Sequence, residues 1–351
     1  MEYLPSYEAL KDQFPIKDCQ RSFIENSRQT ICNILMGKDK RLLLIVGPCS
    51  IHDRLSAKDF ATRLKHLSAA VSTHFFCVMR AYCEKPRTTA GWKGFLYDPY
   101  LNGSNDIQTG IEWTRQLFLE LTDLQIPLAT EFLDPITAFY YEDLITWGSI
   151  GARTSSSQPH RQLASGLKIP MGIKNGLTGS LSSAINGLIS ASHPHAHISL
   201  SDKGAPYIRR TEGNPYTHMV LRGGENGPNY AAPAVAEALR KLRDAKLAQR
   251  LIIDCSHQNS GKKQDRQPFV FQSVIDQILQ GNSHIRGLML ESHLQAGNQD
   301  LMHGAIEYGK SLTDECLDWH TTEQLILQTA SQLNMHQSSK EEITLRYALT
   351  N

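Results

Sequence analysis

The chain is short of most features that would place it quickly. No apolar run approaches the roughly 18 residues of a membrane-spanning helix, so no transmembrane segment is expected. The start, MEYLPSYEALKDQF, has neither a basic stretch leading into an apolar core nor a small-residue cleavage pattern, so no secretory signal is read and a cytoplasmic protein is expected. Charge of one sign is missing too: Lys plus Arg total 36 against 35 for Asp plus Glu, a net charge of +1. That balance gives no broad field for nucleic acid or an anionic membrane, and any binding of anions must rest on local clusters. The seven cysteines form no CxxC pair, and an odd number in such a chain fits reduced thiols better than a disulfide framework. No apolar run is followed by GxGxxG, which argues against a dinucleotide-binding sheet.

What is present is a repeated alternation. Across the 351 residues, eight short apolar runs recur at 42–46, 75–79, 128–132, 150–152, 171–173, 196–200, 251–253 and 287–290. Helix-capable segments separate most of them, at 57–71, 110–124, 138–147, 180–190, 232–248 and 267–279. Strands joined through helices run parallel, and eight such units favour a closed (β/α)8 TIM barrel over an open doubly wound sheet. No domain boundary interrupts residues 41–351. Residues 1–40 are polar, with a helix-like pattern over 21–36, and read as an N-terminal helical arm for oligomer contacts. Residues 207–221, with Gly213, Asn214 and Pro215 in the middle, read as an inserted β-hairpin after the sixth strand.

The chemistry collects where such a barrel puts it, at the carboxyl ends of the strands. The richest stretch, RAYCEKPRTTAGWK at 80–93, gathers Arg80, Lys85, Arg87 and Lys93 beside Thr88 and Thr89 directly after a strand. Arg offers a planar fork, Lys a mobile point charge and Thr a hydroxyl, the donor set for a phosphate-rich substrate. Other strand ends carry Cys49, Glu131, Arg153, Lys174, Asp254 with His257, and Glu291, while Arg222 follows the proposed hairpin. Cys49, His257 and Glu291 offer a soft thiolate, an imidazole and a hard carboxylate, and Asp314 of the final loop supplies a fourth donor for a divalent transition metal. Each residue has a plain structural role open to it: a buried thiol, a core histidine, a salt-bridge partner, a helix cap. Their shared place at one mouth of the barrel favours the metal.

These residues sit in blocks that resemble the type I 3-deoxy-D-arabino-heptulosonate 7-phosphate (DAHP) synthases over nearly the whole chain. The blocks are GPCSIHD at 47–53, EKPRTT and GWKG within 84–94, WGSIGART at 147–154, HRQLASGL at 160–167, KNG at 174–176, LRGG at 221–224, SH at 256–257, ESHL at 291–294 and GKSLTDEC at 309–316. The resemblance implies a metal-dependent, aldol-like condensation of phosphoenolpyruvate with erythrose 4-phosphate that releases phosphate and opens the shikimate pathway. It implies Cys49, His257, Glu291 and Asp314 as ligands of one divalent ion, with Mn2+, Fe2+, Co2+ and Zn2+ all acceptable to that donor set. Carried over residue by residue, Arg153 and Arg222 grip the phosphate of phosphoenolpyruvate, Arg80, Lys85 and Lys174 hold or neighbour its carboxylate, and Arg87 and Thr88 hold the phosphate of erythrose 4-phosphate. Lys85 with Glu131 is the candidate pair for the attacking water, with Glu131 equally open to a role as counter-charge for the cations. Relatives imply a homodimer or homotetramer. Two alternatives stand beside this reading: a sibling synthase that takes another aldose phosphate, against which KPRTT argues, and a non-catalytic regulatory paralogue, against which the intact ligand set argues. The segments 134–139, 167–169 and 195–203 depart from the residues usual in feedback-regulated relatives, and Lys168 replaces a small polar residue. Weak, altered or absent inhibition by Phe, Tyr and Trp is therefore expected.

Overall fold

The structure, a computed structural model, describes residues 2–87, 91–301 and 305–349. Two helices precede the first strand. α1 (Tyr7–Gln13) starts at Ser6, whose hydroxyl accepts the Ala9 N–H, and α2 (Asp18–Met36) stops at Gly37, which adopts φ 73° where a side chain would be disfavoured. There follow β1 (Leu42–Gly47), α3 (Arg54–Ala70), β2 (Phe75–Arg80), α4 (Ile107–Asp123), β3 (Leu128–Glu131), β4 (Trp147–Ile150), α5 (Gln158–Gly166), β5 (Met171–Lys174) and α6 (Ser182–Ala191). The second half holds β6 (His195–Leu200), β7 (Pro206–Thr211), β8 (His218–Leu221), α7 (Ala232–Asp244), β9 (Leu251–Asp254), α8 (Gln267–Leu279), β10 (Ile285–Glu291) and α9 (Trp319–Leu349). Strands β1, β2, β3, β4, β5, β8, β9 and β10 close in that order into a parallel barrel, the (β/α)8 architecture that the alternation predicted.

Period-two alternation sorts each strand into two faces. Outward residues such as Leu42, Leu44 and Val46 join the large core beneath the helices. Inward residues Leu43, Ile45, Val78, Ala129, Trp147, Val220, Ile252 and Met289 form a second core, and Ile31, Ile34 and Leu35 of α2 pack into it. Helix α2 is thus part of the barrel's interior packing. Gly172 makes room in this layer, since a Cβ there would lie 2.7 Å from both the Trp147 ring and Val220 Cγ2. Trp147 Nε1 donates to His218 Nε2 at 3.0 Å, and burial drives the pKa of His218 down to about 3, so the ring stays neutral.

Four expectations are corrected. The segment 196–200 is not the sixth barrel strand: β6 pairs antiparallel with β7 in a separate two-stranded sheet, and β8 takes the barrel position. The inserted hairpin is therefore 195–211, not 207–221. Ala196 and Ile198 alternate as exposed residues along β6, whereas all four residues of β8 are buried, as a barrel strand covered on both faces requires. The proposed helix at 138–147 is replaced by short 3-10 turns, Thr137–Tyr140 and Glu142–Leu144, with β4 already under way at Trp147. There Arg28 donates to the carbonyls of Glu142 and Ile145, and Arg115 to that of Tyr140, so guanidinium groups satisfy acceptors that a helix would have paired internally. The fourth strand accordingly runs 147–150 rather than 150–152.

Candidate active site

The same alternation that builds the inner core builds the site. Two residues beyond Val78, Ala129, Gly172, Val220, Ile252 and Met289 on the inward face come Arg80, Glu131, Lys174, Arg222, Asp254 and Glu291. An apolar layer therefore gives way, one step up, to a ring of charges at the carboxyl ends of the strands. The loops above the ring are pinned by buried amides. Asn175 donates to the Gly223 carbonyl and accepts the Arg222 N–H, Asn259 donates to the carbonyls of Leu221 and Asp254, and Gln267 pairs with both backbone groups of Glu291.

Cys49, Glu291 and Asp314 converge. Their donor atoms all lie within 4.8 Å of one another. The last loop is drawn over β1 by the Cys49 N–H reaching Cys316 Sγ at 3.4 Å and by a Ser50 to Thr313 hydroxyl contact at 2.9 Å. His257 closes the group from the far side, its Nε2 standing 3.7 Å from Glu291 Oε1. His257 adopts φ 52°, an unusual backbone setting for a non-glycine residue. Its Nδ1 is hydrogen-bonded to the Ser256 hydroxyl at 2.9 Å and stands 2.8 Å from Asp254 Oδ2; because the Ser256 hydroxyl donates to Asp254 Oδ1, Nδ1–H is the donor to Ser256 Oγ, which leaves Nε2 as the free lone pair. A carboxylate behind the second nitrogen is the arrangement that metal-binding imidazoles commonly show. Thiolate, imidazole and two carboxylates therefore fit a divalent transition metal by donor chemistry. In the protein alone, burial and the neighbouring Glu291 push the Cys49 thiol up to about 11, the direction a bound cation reverses.

A cavity of about 290 Å³ opens beside these donors, and Lys85, Arg87, Arg153, Lys174, Arg222 and Glu131 of the expected set line it together with His257 and Asp314. Lys85 Nζ donates to Cys49 Sγ at 3.2 Å and to the Cys49 carbonyl at 3.1 Å. Burial opposes its charge, but Cys49, Glu291 and Asp314 outweigh that and hold the ammonium above its ordinary range. Lys174 Nζ sits 2.8 Å from Glu131 Oε2 and 3.9 Å from Asp254 Oδ2. Arg80 does not line the cavity. It is wholly buried, with Nη2 2.9 Å from Glu291 Oε1 and Nη1 donating to Met289 Sδ, so it braces Glu291 from below. Thr88 lies outside the described residues.

The sequence reading overlooked several contributors. Tyr82 places its ring 4.0 Å from the Arg80 guanidinium carbon and within 6 Å of the Lys85 and Lys174 ammonium groups, a shared cation–π platform. Lys262 stands 3.6 Å from Asp314. Asp254 was noted at its strand end but given no role; its inward register, two positions after Ile252, was the available signal.

A family model described as the DAHP synthetase I family matches residues 13–327. The chain is similar to the Tyr-sensitive phospho-2-dehydro-3-deoxyheptonate aldolase of Escherichia coli (strain K12), 44% identical over 349 residues, spanning 99% of this chain and 96% of that protein. It is also similar to the Phe-sensitive phospho-2-dehydro-3-deoxyheptonate aldolase of the same strain, 45% identical over 331 residues and 94% of each chain. The solved structure of phospho-2-dehydro-3-deoxyheptonate aldolase from Francisella tularensis SCHU S4 matches with a TM-score of 0.93 at 41% identity, covering 96% of this chain and 98% of that one. With fold, charge ring and likeness agreeing along almost the full length, the chain belongs to the DAHP synthetase I family.

Proposed function

We propose that this protein condenses phosphoenolpyruvate with D-erythrose 4-phosphate and water to give 3-deoxy-D-arabino-heptulosonate 7-phosphate and phosphate, the first step of the shikimate pathway. The observation that carries this reading is a cation-lined cavity directly beside the converging donors Cys49, Glu291 and Asp314, with His257 at their edge. Those four residues would hold one divalent ion, drawn from Mn2+, Fe2+, Co2+ and Zn2+. When bound, it supplies Lewis acidity for the aldehyde oxygen.

The chain's own residues do the rest. Two polyanions must meet in one small cavity, and Arg153, Arg222 and Lys174 offset the phosphate and carboxylate charge of phosphoenolpyruvate while Lys85 and Arg87 extend the same field toward the second substrate. Arg87, with Thr88, is assigned to the phosphate of erythrose 4-phosphate. Arg80 acts from beneath by fixing Glu291. Glu131 serves as counter-charge to Lys174, which keeps that ammonium aimed across the cavity. Residues 41–351 form the catalytic barrel in this reading, residues 1–40 and the hairpin serve a homodimer or homotetramer, and the protein works in the cytoplasm. Among the described residues, no helix is long and apolar enough to cross a membrane.

The test is a phosphate-release assay with phosphoenolpyruvate, a panel of aldose phosphates and a panel of metals. Release is expected with erythrose 4-phosphate only when both substrates and a divalent ion are present. Turnover that survives exhaustive chelation, or that prefers another aldose phosphate, defeats the proposal.

A further inference from the structure

Besides Asp314, two carboxyl groups line the cavity, and their surroundings set them apart. Glu131 is engaged with Lys174 at 2.8 Å. Burial works against its charge, yet Lys174 overcomes this and holds the carboxyl well below the ordinary carboxylate range. A carboxylate so stabilised accepts a proton poorly near neutrality.

Glu84 is the opposite case. It is 3% exposed and lies on the cavity wall between Tyr82 and Lys85. Its Oε1 accepts hydrogen bonds from Tyr141 Oη at 2.5 Å and Thr137 Oγ1 at 2.8 Å, while Oε2, equally buried, has no hydrogen-bond partner among the described residues. An unsatisfied buried oxygen of this kind is destabilising unless an occupant of the cavity completes it. The titratable groups around Glu84 are Tyr141, Asp134 and Glu131 from β3 and beyond, Tyr97 from the segment before α4, and Cys83 and Lys85 from its own stretch. Burial is the largest influence, Asp134 and Glu131 add to it, the two hydroxyl donors oppose it, and the pKa settles at about 7. Neighbouring carboxyls pushed in opposite directions mark which of them exchanges protons.

We propose that Glu84 is the catalytic base for the water consumed in the condensation, holding that water on its free Oε2 and taking a proton from it as the water oxygen bonds to C2. This rests on the reaction proposed above. Once C3 of phosphoenolpyruvate has bonded to the aldehyde carbon, C2 is electron-poor and accepts a lone pair from water; one O–H bond breaks and its proton passes to Oε2. That proton returns to the former aldehyde oxygen, which carbon–carbon bond formation leaves as an alkoxide. The second proton stays on the C2 hydroxyl until the C2–O bond to the phosphoryl group breaks. The electron pair of that bond then departs with phosphate, the hydroxyl becomes the ketone, and its proton leaves on the phosphate.

Glu84→Gln keeps an oxygen to accept from Tyr141 and Thr137 but removes the base. The expected result is a fall in kcat of about 10²–10⁴-fold, with metal affinity and the KM for phosphoenolpyruvate within twofold of wild type and the acidic limb of the kcat profile near pH 7 abolished. Tyr141→Phe removes one bond that stabilises the carboxylate, and is expected to move that limb to higher pH while turnover persists. Difference infrared spectra without substrates should show a carboxyl band titrating near pH 7 in wild type and missing from Glu84→Gln. A Glu84→Gln protein within threefold of wild-type kcat, an unmoved acidic limb in either variant, or no such band overturns the role of Glu84. A wild-type protein that shows the band but releases no phosphate from the two substrates defeats the condensation reading instead, and the role of Glu84 in it falls with it.

Discussion

Asp254→Asn isolates the contribution of a carboxylate that touches no cavity surface. Asp254 is fully buried; its Oδ2 stands 2.8 Å from His257 Nδ1, and its Oδ1 accepts from the Ser256 hydroxyl that in turn accepts from His257 Nδ1. Burial raises its pKa, but His257, Lys174 and Arg80 dominate and keep it ionised far below the ordinary range. The negative charge behind the ring favours the tautomer with Nε2 free and holds the ring in the orientation that points this nitrogen at the other donors. An amide preserves volume and one acceptor but loses the charge and permits a flipped donor. Loss of such a partner typically weakens metal binding by about 10–100-fold, or about 1.4–2.7 kcal/mol. Competition of Mn2+ or Co2+ against a chromogenic chelator measures this directly. A parallel reading comes from thermal unfolding at fixed metal, where the stabilisation of wild type by bound ion should shrink in the variant by the same free energy. If Asp254→Asn binds metal within twofold of wild type, the orientation argument fails, and with it the assignment of His257 as a ligand through Nε2.

Arg80→Met removes the cation buried against Glu291 and leaves a carboxylate without compensation, which should destabilise the metal-free protein by about 3–5 kcal/mol in urea unfolding; a loss under 1 kcal/mol would contradict the buried pairing. His218→Gln tests pH dependence. The folded pKa is about 3 against an ordinary 6.5, so the native state binds fewer protons between these values, and stability is present above pH 6.5 and lost as pH falls toward 3. The variant should remove up to about 1.4 kcal/mol per pH unit of that slope, and an unchanged slope in urea midpoints would refute it. Gly172→Ala should cost about 1–3 kcal/mol by crowding Trp147 and Val220, with a stability-neutral result arguing against the inner layer as described. Steady-state titration with Phe, Tyr and Trp should show weak, altered or no inhibition. Lys168 and Arg209 share one cavity in the divergent region, and Arg209 already covers the Phe139 ring at 4.7 Å while donating to the Gly166 carbonyl; ordinary inhibition by any of the three would count against this.

The sequence by itself determined the barrel and most of its mouth. Eight short apolar runs split by helical segments are a local signal, because strand and helix periods are written in neighbouring residues, and charges at the strand ends follow from those same boundaries. Cys49, Glu291 and Asp314 were nameable from residue type and position, although 265 residues separate Cys49 from Asp314 in the chain. Only the tertiary structure decided which run closes the barrel. Segments 196–200 and 218–221 are both apolar enough, and the choice depends on burial of both faces, a property of neighbours and not of the strand. It also decided that Arg80 lies beneath the site rather than on its wall, that Glu131 is engaged by Lys174, and that Glu84 keeps an oxygen unpaired among the described residues. Electrostatic roles of this kind are set by separations of about 3–4 Å between groups distant along the chain, and no local pattern encodes them.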